Sequence, residues 1–135
     1  MLPSIENEEE NPMAAPTKDD AKLLLQAAEL YNSSGLSEVA RWIWSDDFPT
    51  IHSDFIEQNP PGSEGHSNLF RYAGYFETVA TLWKHGLFNG DLLFDWLLIP
   101  WPRVGEVLVG ERGRLGEDRL FENFEMLGEA QAKAG

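Results

Sequence analysis

The sequence contains no cysteine. That excludes disulfides, thiolate zinc sites, iron–sulfur clusters and a cysteine nucleophile. It is compatible with the cytoplasm, which is the expected location. Long apolar runs are missing too. The longest, Trp96-Leu97-Leu98-Ile99-Pro100-Trp101-Pro102, falls far short of the ~20 residues of a bilayer span. The opening Met1-Leu2-Pro3-Ser4-Ile5-Glu6 lacks a basic region followed by an apolar stretch, so no signal peptide is expected. Positive charge is scarce: 10 Lys and Arg stand against 23 Asp and Glu, for a net charge of −13. Nucleic acid and anionic membrane are both recognised by clustered Lys and Arg. Neither is therefore expected as a direct partner. The imbalance is uneven. Residues 1–64 carry 13 acids and 3 bases, residues 65–135 only 10 and 7. A basic protein partner would be met by the first half.

Histidine is sparse as well. His52, His66 and His85 form no Glu-x-x-His or His-x-x-x-His pair, which excludes the di-iron bundle and zincin patterns. His52, Asp54 and Glu57 are close enough in sequence to share an ion, but they read as polar surface residues of a short helix. Gly105 and Gly110 have phosphate-loop spacing. Glu111-Arg112 then stands where Lys-Ser/Thr is needed, and a carboxylate there would repel phosphate. Ser63 lies between Gly62 and Glu64, outside a Gly-x-Ser-x-Gly elbow. The pairs Glu122/Glu125 and Asp91/Asp95 sit about one helical turn apart, as acid–base chemistry could use. In so acidic a chain such pairs follow from composition. No catalytic residue, metal ligand or cofactor is assigned.

What is present suits a helical core. Apolar residues make up 42% and aromatics 12% of 135 residues, enough to bury a core without staples. Residues 1–16 form an acidic, proline-punctuated leader expected to be disordered. Residues 17–135 are expected to form a single helical domain. Thr17 is placed to cap a first helix whose Leu23, Ala27, Leu30 and Tyr31 share a face. Ser37 would cap a second helix. A third stretch covers about Pro49 to Gln58. The clearest stripe runs from Asn68 to His85, with Leu69, Tyr72, Ala73, Phe76, Val79, Ala80 and Trp83 at three- and four-residue spacing, closed by Gly86. Asn89-Gly90-Asp91 opens a short helix, Pro102 sits in the first turn of the next, and a last helix is expected from Glu117 to about Ala132. No segment alternates as a strand does. The fold class is all-α: an irregular bundle of about five to seven short-to-medium helices.

Two constellations stand out. Trp42 and Trp44, two residues apart on a helix, diverge by roughly 160–200°, so both cannot face the core. With Asp46, Asp47 and Phe48 they form the candidate partner-binding patch. Arg71 or Arg114 is expected to pair with Glu77 across the bundle and fix helix register. The remaining arginines, Arg103, Arg112 and Arg119, alternate with acids and read as an ion-paired face.

Tyr75-Phe76-Glu77-Thr78-Val79, then Gly86-Leu87-Phe88-Asn89-Gly90-Asp91-Leu92-Leu93, then Trp101, Arg112 or Arg114, and Phe121-Glu122-Asn123-Phe124-Glu125 resemble a group of small bacterial helical proteins labelled domain of unknown function 4760. The resemblance covers roughly residues 66–127. It implies a helical fold and a bacterial or phage origin, and no activity. Many such proteins carry an N-terminal membrane segment; residues 1–16 have no run of that kind, and a membrane role is not expected. The leading expectation is a non-enzymatic helical interaction protein that binds a protein partner through its acidic first half and the exposed aromatic patch. One alternative is an acidic inhibitor, a nucleic-acid-mimicking decoy of a basic protein. Another is an enzyme whose site is assembled from scattered residues.

Overall fold

The computed structural model describes residues 15–135. The expectation of a disordered leader falls almost wholly on residues 1–14, outside the described residues. Seven helices follow in order: α1 (Lys18–Ser33), α2 (Leu36–Ile43), α3 (His52–Gln58), α4 (Glu64–Lys84), α5 (Gly90–Trp96), α6 (Trp101–Leu115) and α7 (Glu122–Ala134). No strand occurs among the described residues.

The longest helix, α4, is the axis of the bundle. Leu69, Tyr72, Ala73, Phe76, Val79 and Ala80 are buried along it, as their spacing predicts. It packs chiefly against α7, while α6 packs on α7 and carries α3, and α2 lies between α1 and α4. Aromatic rings fill the centre. Phe76 stacks on Phe124 at 5.3 Å between centroids, and Trp101 meets Phe124 edge-on at 5.2 Å.

Helix starts follow local chemistry where a capping side chain is at hand. Thr17 and Asp20 form a reciprocal capping box, and Ser63 and Asn89 accept from backbone N–H groups inside α4 and α5. Two starts differ from expectation. Ser37 does not cap α2, because Gly35 turns the chain at φ 73° and α2 begins at Leu36. The last helix begins at Glu122, not Glu117, since residues 117–121 form turns and Phe121 sits at φ 58°. That left-handed backbone is strained for a bulky residue.

Distant side chains supply the caps that local sequence lacks. Glu77 of α4 accepts from the backbone N–H of Phe124 at 2.9 Å and from Asn123 Nδ2 at 2.8 Å, so it caps α7 from outside. Arg103 of α6 donates to the carbonyls of Ile43 and Ser45 at the end of α2. Arg71 donates to the Ser34 carbonyl at the end of α1. Gln131 of α7 both accepts from Ile99 N at 2.7 Å and donates to Leu97 O at 2.8 Å, satisfying the linker before α6.

Two of the three glycines of α6, Gly105 and Gly110, are close-packing sites. A Cβ on Gly110 would lie 2.1 Å from His52 Cγ and 2.6 Å from its Cβ, whereas one on Gly113 would meet nothing within 4 Å. Gly110→Ala is therefore expected to destabilise the fold by about 1–3 kcal/mol through overpacking. Gly113→Ala should stabilise it by about 0.5–1 kcal/mol through helix propensity. Chemical denaturation of the two variants checks the opposite signs.

Candidate functional site

The one charged side chain buried outright among the described residues is Glu111, on the inner face of α6. An ionised carboxylate in such a place needs donors for its lone pairs. It has four. His66 Nε2 lies 2.7 Å from Oε1 and His52 Nε2 2.9 Å from Oε2. Arg114, one turn along α6, places Nη2 at 2.8 Å from Oε1 and Nε at 2.7 Å from Oε2. His52 opens α3 and His66 lies in the first turn of α4, so the cluster ties α3, α4 and α6 together.

A carboxylate anion only accepts, so both imidazoles must donate through Nε2, which fixes that nitrogen as the protonated one. Burial pushes the Glu111 carboxyl up; the hydrogen bonds from Arg114, His52 and His66, with the guanidinium charge, outweigh it and hold the group down at about 2. The His66 ring is stacked on Phe70 at 4.6 Å, and Phe70 meets the strained Phe121 edge-on at 5.4 Å.

This arrangement is saturated. A carboxylate offers about four acceptor positions, and all four are occupied. It has no free lone pair for a substrate proton, and the guanidinium stands where a cation would need to approach. Among the described residues, no group of three or more His, Asp or Glu side chains is arranged to hold a metal ion. The sequence triplet His52, Asp54 and Glu57 does not assemble. His52 turns inward to Glu111, while Asp54 and Glu57 face outward.

The aromatic patch is only partly a surface. Phe48 is 3% exposed and packs at 5.0 Å from Trp42 and 5.8 Å from Phe55, so it belongs to the core and cannot serve as a docking residue. Trp42 is partly buried against the same rings. Trp44, Asp46 and Asp47 are exposed. The expected register pair does not form either. Arg71 and Glu77 are six residues apart on α4 and diverge by roughly 120°. Arg71 instead reaches Ser34 and Asn68, Glu77 caps α7, and Arg114 takes the nearer Glu111. Arg112 pairs with Glu125 and Arg119 with Glu122.

An apolar concave surface lies elsewhere. Leu23, Ala27 and Leu30 of α1 face Tyr75 and Val79 of α4 across a groove of about 420 Å³, closed at one end by Leu82 and Phe88 and at the other by Arg71 and Ser34. These α1 residues share a face, as their spacing predicts, yet α1 buries none of its residues fully and Leu30 is 55% exposed. The helix is held by Tyr31, whose ring meets Tyr72, Tyr75, Phe76 and Trp96, and by the Tyr75 hydroxyl, which donates to Ala27 O. Burial, with the neighbouring Tyr31, pushes the Tyr75 phenol up to about 12.

A family model described as "Domain of unknown function (DUF4760)" matches residues 13–130. No curated protein and no solved structure matches the chain. No described helix is long and apolar enough to cross a membrane.

The Glu111 cluster makes stability depend on acid. With its folded carboxyl at about 2 against an ordinary 4.5, the contribution is complete above about pH 4.5 and is lost as pH falls towards 2. Urea unfolding at successive pH values should show about 3 kcal/mol of lost stability over that window. Glu111→Gln should be less stable at pH 7 and should lack most of that slope. An unchanged slope in the variant would remove Glu111 as its source.

Proposed function

The chain belongs to the family described as domain of unknown function DUF4760, and from that premise we propose that it is a non-enzymatic helical binding protein. It seats an amphipathic helix of a protein partner in the groove between α1 and α4. The observation that carries this reading is the apolar stripe of α1, left half-uncovered beside α4. Such a stripe is normally covered by the protein's own core. Leu30, a groove-lining residue more than half exposed, is the kind of surface that a partner covers.

The groove walls favour a helical occupant. Both walls are helices whose backbone groups are already bonded within α1 and α4. An extended peptide would find no sheet edge to pair with and would leave its own N–H and C=O groups unpaired over an apolar floor. A helix satisfies its backbone internally and offers side chains at i, i+3, i+4 and i+7. The net charge of −13 favours Lys and Arg on that helix's outer face. The saturation of Glu111 supports a non-enzymatic reading, because the most buried ionic cluster is spent on holding helices together. Trp44, the exposed remainder of the aromatic patch, lies outside the residues that line the groove.

The test is selection of binders from a displayed library of amphipathic helices, using the full chain as bait. Selected helices should lose about tenfold or more in affinity for Leu30→Glu, the scale of one leucine's burial. They should bind Trp44→Ala unchanged. Binders that ignore Leu30→Glu, or a library that yields none, would sink the groove reading.

A further inference from the structure

The groove is apolar along its floor and polar at one end. Arg71 is the only charged side chain among the described residues that line it. Of the neutral polar side chains there, Tyr75 donates to Ala27 O and Thr78 to Gly74 O, so both are spent within the fold, while Gln26 and Ser34 add an uncharged amide and a hydroxyl. Arg71 is not spent. A guanidinium carries five N–H donors, and here Nη1 serves Ser34 O while Nη2 serves Asn68 Oδ1. Those two bonds hold the planar group in place at the groove mouth with donors to spare. The opposite end, at Leu23, Leu82 and Phe88, is apolar. The groove therefore has a direction.

We infer that Arg71 receives an Asp or Glu carboxylate from the docked helix and so fixes which way round that helix lies. The inference rests on the groove reading above. Arg71 and Leu82 are eleven residues apart on α4, which spans roughly 16 Å at 1.5 Å per residue, about three turns of an occupant. The partner that fits is a three-turn apolar stripe with one acid at its end and basic residues on its outer face. The outer bases answer the charge of the whole chain, and the single acid answers the one cation in the groove. Reversing the helix would press its carboxylate against Leu82 and Phe88 and leave Arg71 facing an apolar side chain. That costs the reversed orientation a desolvated, unpaired charge.

The same library, with the residues at both ends of the stripe randomised, tests this on the full chain. Wild type should enrich Asp or Glu at one end, and replacing that acid by Gln or Asn in a selected helix should weaken binding roughly tenfold. Arg71→Gln should abolish the preference. Because Arg71 also caps α1, a loss of binding alone would not separate recognition from folding. Arg71→Glu does so: it should enrich Lys or Arg at the same end of the stripe, which a merely structural Arg71 would not produce. If selected helices are sensitive to Leu30→Glu but show no acid preference, or if the preference survives Arg71→Gln, Arg71 does not read the partner and the groove reading alone stands. If they ignore Leu30→Glu, both fall.

Discussion

A carboxylate shut away from water constrains everything around it. Glu111 is anionic, fully buried and bonded at both oxygens by groups from three helices. Removing any one donor leaves a buried charge under-satisfied, which is costly. The donors must therefore be delivered together. α3 has only seven residues, too short to be stable alone. Phe55 and His52 dock it, the first into the core and the second onto Glu111. The docking in turn requires a glycine at position 110, because any side chain there would collide with the imidazole that Glu111 needs. The weak helix former and the buried acid beside it are parts of one contact.

The same logic explains why α6 is built from residues that suit a helix poorly. Gly105 lies against the Trp101 indole, one turn along the same helix, and Gly110 against the His52 imidazole. The helix gives up propensity at these positions, about 1 kcal/mol for each glycine relative to alanine. In exchange it gains close approach of the Trp101 indole and the His52 imidazole. Its arginines are not a solvated stripe. Arg103 closes α2, Arg112 donates to Leu120 O in the connection to α7, and Arg114 neutralises Glu111. The α6–α7 connection is held at both ends, by Arg112 and by Glu77, and this external hold is what keeps Phe121 in its left-handed backbone.

The helices that carry their own signals were legible in the sequence. The stripe of α4, the Thr17 cap and the Asn89 start of α5 are local patterns with local causes. What could not be read were interactions between residues far apart. Nothing in the spacing of His52, His66 and Glu111 announces that they meet, since they are 14, 45 and 59 positions apart. The sole hint was that Glu111 follows one turn after the apolar Val107 and Leu108, both of which are buried. The start of α7 was misplaced for the same reason: its cap is on another helix. The two motifs behind the family resemblance, Tyr75-Phe76-Glu77 and Phe121-Glu122-Asn123-Phe124, touch through Glu77 and through the Phe76–Phe124 stack. Their meaning in the fold is their contact.

The groove follows from what α1 and α4 lack where they face each other. Gly74 has no side chain, and a Cβ built there would meet nothing within 4 Å, so space is already open beside it. Ala27 opposite contributes one methyl group. Tyr75 next to it is long, and its hydroxyl reaches the Ala27 carbonyl, so the ring spans the gap and sets the helix separation. Arg71 sets the same separation at the other end through Ser34. α1 is thus held at a distance by two polar tethers when its leucines could otherwise have closed onto α4. Collapse would bury more apolar surface, which favours it by roughly 25 cal/mol per Å². It would also strip the half-buried Tyr75 hydroxyl of its partner, at about 1–3 kcal/mol, and break the Arg71 bond to Ser34 O. The two tethers, Tyr75 to Ala27 O and Arg71 to Ser34 O, leave the stripe of α1 uncovered in the folded chain, available to whatever can cover it without breaking them.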